Sequence, residues 1–372
     1  MTDLIVCSLE PWDEVWRRNQ FLIAGLLDRD QSLRVLFVEP PSDPLHLLRI
    51  GQRPRLGRGL APVADWVGRL QRLELTKWLP RTAGPMADAI LDRAVRVTAS
   101  RLGITDPLLW INDPGWAHLI ASTGWPAIYD ITDDWVEADR SAREHERIVA
   151  NERALMDSCR LVVVCSPELA RTKSRIRPVV LVQNAVDVGW YREPQPRPDD
   201  LGASPVALYA GTLHEDRLDV RLCCELGRRL HAVGAALVFV GPNALAMSNS
   251  ELLASVPGVR ILGPRPYRSI PGYLQHADLL VVPHLVNDFT NSLDPIKLYE
   301  YQAVARPIVA TPVSGFVELD GLSGVAIRSS QEFPDAAVGM LAQPPEVGPF
   351  DVADWDDRVT AMARFLEQAR RD

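Results

Sequence analysis

The sequence holds no run of about twenty apolar residues, so nothing in it reads as a helix that crosses a bilayer. Its first residues pass from Asp3 straight into the strand-like LIVCSL, without the basic region and cleavage site of a secretion signal. Cysteine is sparse: Cys7, Cys159, Cys165, Cys223 and Cys224 make an odd set with no pair at metal-ligand spacing. Reduced, mostly buried thiols are expected, and with them a cytoplasmic location. Positive charge is also short, with a formal net charge of −8, which argues against a chain-wide nucleic-acid surface. Close internal repeats and low-complexity tracts are absent.

What is present is ample apolar material: 47% of 372 residues, enough for more than one core. Short β-branched runs alternate with amphipathic stretches, the pattern of parallel sheets with crossover helices, so the fold class is α/β. In the first half, strands are predicted at 4–9, 34–39, 108–112, 127–131, 161–165 and 179–183, and helices at 14–27, 86–102 and 144–156. The stretch PQPRPDD at 194–200 carries three prolines at alternate positions and reads as a semi-rigid spacer. Beyond it, strands are predicted at 206–211, 236–241, 259–263, 278–283, 307–311 and 324–327. The expected organisation is two doubly wound, Rossmann-like domains, 1–193 and 201–345, facing a central cleft, with a final helix in 346–372 packing back across the junction.

One segment departs from the acidic average. Between residues 49 and 81, Arg49, Arg53, Arg55, Arg58, Arg69, Arg72, Lys77 and Arg81 face only Asp65 and Glu74, with Trp66 and Trp78 interleaved. An anionic acceptor or a membrane surface would suit such a segment. Its prolines and glycines spoil a continuous amphipathic helix, which favours an ordinary acceptor-side loop over membrane contact.

The most specific chemistry lies in SLDPIKLYEYQAVARPIVAT, Ser292 to Thr311. Asp294 suits an N-cap and Pro295 the first helical position, so a helix is expected from about residue 295. Free N–H groups at its start, with Lys297 in the first turn, form a ready diphosphate site. Glu300 follows one turn later on the same face, where it could meet a ribose diol. On spacing alone, a solvated Lys–Glu pair on a surface helix explains the same residues.

This stretch resembles the donor-site element of glycosyltransferase family 4, the glycosyl transferases group 1, whose members have the GT-B fold. The segments YAGTLHEDRLD at 209–219 and LGPRPYRSIPGYLQHADLLVVP at 262–283 resemble the same family. The resemblance implies that Glu300 binds the donor ribose and Lys297 a phosphate oxygen. It implies further that Gly211 and Thr212 close the turn beneath the diphosphate, that Arg217 is a second phosphate cation, and that Arg265 to Tyr267 form a base-binding rim. The loop from Phe289 to Asp294, with Asn291 and Ser292, would face the sugar. The sequence departs from the family pattern at Leu293, where a first glutamate is usual, and at Ala305, where a turn glycine is usual.

In the first half, AIYDITDDW at 127–135 resembles the family strand that ends beside the reacting sugar, with Thr132-Asp133 in place of a histidine-aspartate pair. Asp130, Asp133 and Asp134 crowd the carboxyl end of that strand, where ligands bind in open α/β sheets and where close carboxylates can divide acid and base roles. Helix capping is the other use for such a cluster. After the first strand, Trp12, Arg18 and Asn19 are candidates for the acceptor side. Asn184, in QNAVD, reads as a hinge residue.

The reading is sugar transfer from a nucleoside diphosphate carrier to the hydroxyl of a small-molecule, glycan or lipid-linked acceptor. Retention of configuration is implied by the resemblance, with Lys297, Asp133 and Asp130 in catalytic roles. No cofactor beyond the nucleotide sugar and no metal is expected. The alternatives are a nucleotide-sugar epimerase of the same architecture and a silent subunit that activates a partner transferase, the latter prompted by Leu293.

Overall fold

A computed structural model describes residues 3–49, 51–79, 84–137 and 141–371. The first half builds an eight-stranded sheet from β1 (Asp3–Cys7), β2 (Arg34–Val38), β3 (Gly59–Pro62), β4 (Leu70–Glu74), β5 (Leu108–Ile111), β6 (Ala127–Ile131), β7 (Leu161–Val164) and β8 (Val180–Leu181). Their spatial order is β3-β4-β2-β1-β5-β6-β7-β8. All pairings are parallel except β3 against β4. The second half supplies β9 (Val206–Ala210), β10 (Leu213–His214), β11 (Ala236–Val240), β12 (Asn243–Ala244), β13 (Val259–Gly263), β14 (Leu279–Val282), β15 (Ile308–Ala310) and β16 (Val325–Ile327). Six of them form a parallel sheet ordered β13-β11-β9-β14-β15-β16, while β10 and β12 make a small separate pair.

The central strands are apolar on both faces because helices cover both. In β1, Leu4 and Val6 enter one core while Ile5 and Cys7 enter another, and in β9 Val206, Leu208 and Ala210 are likewise separated from Ala207 and Tyr209. Each sheet lies with the carboxyl ends of its strands toward the other half. The helix Trp355–Arg371 returns to the first sheet, where Trp355, Val359, Met362, Leu366 and Ala369 recur on one face and join the core beneath the helix Arg18–Arg29.

The basic segment is where the sequence reading and the structure part. It forms β3 and β4 at the sheet edge, and its arginines are largely consumed there. Arg58 pairs with Glu39 at 2.9 Å and Glu74 at 2.6 Å, Arg55 also bonds Glu74, and Lys77 lies 3.5 Å from Asp43. Arg69 donates to the Leu27 carbonyl at 2.7 Å. Trp66 is buried, its indole N–H on Asp28. Arg81 lies outside the described residues. Counting charges along the segment missed this because Glu39 and Asp43 precede it in sequence and reach it only through the β2–β4 pairing.

At the end of the helix Ile296–Val304, Ala305 takes a left-handed conformation, φ 49° and ψ 50°, as its C-cap. That region costs an L-residue with a Cβ about 1 kcal/mol. Ala305→Gly is therefore expected to raise stability by up to about 1 kcal/mol, read as a higher urea midpoint at unchanged slope.

Candidate functional site

Between the two sheets lies a cleft of about 240 Å³. The first half contributes Glu10, Trp16, Arg17, Arg18, Asn19 and Asp133; the second contributes Gly211, Arg217, Arg265, Tyr267, Lys297 and Glu300. Most of these residues reach the cleft from the carboxyl end of a strand or the start of the following helix, as an open α/β sheet dictates, and Glu300 from one turn further along its helix.

The floor on the second side is a tight crossing of glycines. Gly241 has φ 145°, and a Cβ there would stand 2.2 Å from the Gly211 carbonyl oxygen. Gly211, φ 133°, would bring its own Cβ to 3.1 Å from Lys297 Nζ. Glycine at both positions lets the turns after β9 and β11 abut and leaves the Lys297 ammonium facing bare backbone.

Lys297 projects from the first turn of its helix. Nζ donates to the Tyr209 hydroxyl at 2.6 Å, lies 3.3 Å from His284 Nε2, and sits 3.8 Å from the centroid of the Tyr209 ring. The Lys297 amine facing Nε2 of His284 makes that nitrogen an acceptor, which places the ring proton on Nδ1; burial and the neighbouring lysine hold the imidazole well below its usual range. Burial, with the like charge of Arg217 added, pushes the Lys297 ammonium down to about 7. Glu300, one turn on, accepts from the Tyr191 hydroxyl, and burial raises its carboxyl against the pull of that bond and of Lys297.

Asp133 faces this group from the first half. Arg217 Nη2 donates to its Oδ1 at 3.1 Å across the cleft, and burial raises the Asp133 carboxyl despite that cation. Glu10 stands nearby, 3.2 Å from Arg17 Nε; the enclosing protein pushes it up to about 7 while Arg17 pulls it back. On the far wall Tyr267 stacks on Trp16 at 4.2 Å, and its backbone N–H donates to the Glu14 carbonyl at 2.9 Å, closing the two halves on each other.

Several sequence-named residues have other places. Trp12 does not line the cleft: it is buried against Phe37 and Trp66. Asp130 is fully buried behind Arg18, which grips it through Nε and Nη2 at 3.2 Å each, with Trp110 and Asn112 also donating. Asp134 turns away to Lys173 at 2.9 Å. Asn291 and Ser292 line a second groove on the other side of the junction, and Ser292 is held through its carbonyl by Ser166. Asp294 is not the N-cap. Pro295, in extended conformation, holds that position, and the Asp294 carboxylate accepts from the Asn184 backbone N–H and from Tyr299 Oη. Arg265 lines the cleft with its donors turned to Asp200, Tyr273 and the Leu262 carbonyl.

Arg18 and Asn19 do reach the cleft, Arg18 with its guanidinium shared between Asp130 and Asn184 and Asn19 with its amide on Ser8. Gly211, Thr212, Arg217, Tyr267, Lys297 and Glu300 all line it. The sequence reading passed over Glu10, Arg17, Tyr209 and His284. His284 comes two residues after β14 ends at Val282, and that position at a strand's carboxyl end was the available signal.

Two doubly wound domains closing on a cleft define the GT-B class of glycosyltransferases. Residues 204–343, within the second half of the chain, match the model of the Glycosyl transferases group 1 family. Over 224 residues the chain is 26% identical to a Bacillus subtilis (strain 168) protein, named putative teichuronic acid biosynthesis glycosyltransferase TuaH. That match covers 55% of each, so the chain spans about half the length of the curated relative it matches. Among solved structures, sucrose-phosphate synthase from Thermosynechococcus elongatus superposes with a TM-score of 0.67 at 15% identity, covering 100% of this chain and 98% of that one. Anabaena Alr3699/HepE in complex with UDP superposes at 0.54, with 14% identity and 98% and 95% covered. These likenesses are likenesses of fold.

Proposed function

We propose that the chain transfers a sugar from a nucleoside diphosphate carrier to an acceptor hydroxyl in the cleft between its halves. The observation that carries this reading is the convergence of Lys297, Glu300, Gly211 and Arg217 on one wall, with Asp133 opposite. A diphosphate would take the space against Gly211, where Lys297 and Arg217 supply positive charge and the start of the helix Ile296–Val304 supplies free N–H groups. The ribose would lie over Glu300. As the glycosidic bond breaks, negative charge grows on the departing diphosphate, and the lysine meets it there; no metal is needed for that task. Asp133 would orient the sugar or acceptor once the donor draws Arg217 away. The resemblance supports retention of configuration. The UDP held by the Anabaena structure of the same fold makes UDP the first nucleotide to try.

A cleft of about 240 Å³ is below the roughly 300–1,000 Å³ of sites that enclose whole ligands, so donor entry would part the Trp16–Tyr267 contact. A thermal-shift panel of nucleoside diphosphates and their sugars tests the reading. A rise with at least one diphosphate is expected, and no rise with any would sink it. Glu300→Ala removes a charged hydrogen bond in a buried setting, about 1.5–3 kcal/mol. Its dissociation constant for the bound diphosphate should rise ten- to a hundredfold by titration calorimetry.

A further inference from the structure

The helix Pro85–Arg101 has two unlike faces. Ala87, Leu91, Val95 and Ala99 are buried against the first sheet. The opposite face exposes Met86, Ile90 and Val97, at 66%, 41% and 41%, interleaved with the exposed Arg93, Arg96 and Arg101. No carboxylate shares that face: Asp92 is buried on His118 at 2.6 Å, and Asp88 lies 3.6 Å from the same ring. The described arginines of residues 49–77 are mostly spent on internal ion pairs and carbonyls, whereas among the described residues no ion pair is found for these three.

The neighbouring elements continue the character. The helix Pro44–Arg49 buries none of its side chains; Leu45 and Leu48 are exposed, and Arg49 and Arg53 beside them point to solvent. Trp78 is 63% exposed. These residues leave the carboxyl ends of the adjacent strands β2 and β4, tied by the Ser42–Thr76 bridge, and the helix Pro85–Arg101 starts back from the same end.

We propose that this face of the first domain docks on an anionic lipid bilayer. Charge complementarity selects the occupant. The chain as a whole carries −8, so an anionic surface repels the rest of the molecule and attracts this side, which orients the docking. Protein–protein interfaces are depleted of charge at their cores, yet here Ile90 and Val97 each have an arginine within one turn. Long arginine stems reaching past shallow apolar tips, with a tryptophan at the margin, suit the headgroup boundary. The docking is peripheral: no helix among the described residues is long and apolar enough to cross a membrane.

Cosedimentation of the full chain tests this, with vesicles of 70% phosphatidylcholine and 30% phosphatidylglycerol at low salt. The wild type is expected to sediment with them, to be released by 0.5 M salt, and to ignore pure phosphatidylcholine. At roughly fivefold per arginine, Arg93→Glu/Arg96→Glu/Arg101→Glu should lose about a hundredfold in partitioning. The same charge change on the second domain, Arg221→Glu/Arg228→Glu/Arg229→Glu, should lose far less; circular dichroism checks that both fold. A blue shift of tryptophan emission on binding should shrink in Trp78→Phe. Wild type left in the supernatant, as an acidic protein partner would leave it, overturns the proposal. So does a first triple variant that sediments as well as wild type, or wild type that binds neutral vesicles equally.

Discussion

Lys297→Met is expected to lower turnover by a hundredfold or more and to abolish a proton uptake that accompanies diphosphate binding in the wild type. The first part follows from where the charge develops. An interaction that strengthens as the diphosphate departs acts on the transition state more than on the bound donor, so its loss appears in kcat as well as in affinity. The second part follows from the lysine's state in the free protein. Burial beside Arg217 brings its ammonium down to about 7, so at pH 8 most of it is neutral. A diphosphate seated against Gly211 adds negative charge within contact range and raises that value again, so binding at pH 8 takes up close to one proton. At pH 6 the lysine is already charged and uptake should be small. Affinity should therefore fall as pH rises above 7, by up to about tenfold per unit, until the bound-state value is passed. Calorimetry in buffers of different ionisation enthalpy reads the proton count directly. Wild-type binding without uptake at pH 8, or uptake that persists in Lys297→Met, would remove the lysine from the phosphate site.

The sequence made the sheets legible because parallel strands buried on both faces read as unbroken apolar runs; the strand cores at 108–111, 127–131, 206–210 and 236–240 all stood out that way. β3 and β4 did not. They form a half-exposed edge, and the charges that alternate along LQRLE hid a strand whose partners are ionic. The meeting of Lys297 and Glu300 on one wall of the cleft was legible for a different reason: they lie on one helix, and local spacing carries them to one face. Residues whose place depends on the other half of the chain were not legible. Nothing local distinguishes Asp294 as a cap from Asp294 as an acceptor for Asn184, 110 residues away. Trp12 and Trp16 sit four apart in one loop, yet the core beneath Phe37 takes the first and the cleft takes the second. Within TDDW, the same turn sends Asp133 to the cleft and Asp134 to Lys173.

Asp130→Ala should cost about 3–5 kcal/mol of first-domain stability, and this separates it from Asp133, with which it was grouped by sequence. Its carboxylate is fully buried and accepts two bonds from Arg18, one from Trp110 and one from Asn112, so it serves as the counter-charge of a buried guanidinium. Breaking a buried pair from one side leaves the other charge desolvated and unpaired, which costs more than the pair itself contributes. Arg18 also donates to Asn184 at 3.2 Å, and Asn184 in turn bonds Asp294 just before the helix Ile296–Val304, so the damage should spread to the domain junction. Replacing both partners at once, Arg18→Met with Asp130→Leu, removes both buried charges and should recover much of the loss. Urea unfolding followed by the first domain's transition gives the comparison. Asp133→Asn, with its partner Arg217 at the cleft wall, should shift that transition far less. An Asp130→Ala protein as stable as wild type but without turnover would restore Asp130 to the reaction and overturn its assignment as the anchor of Arg18.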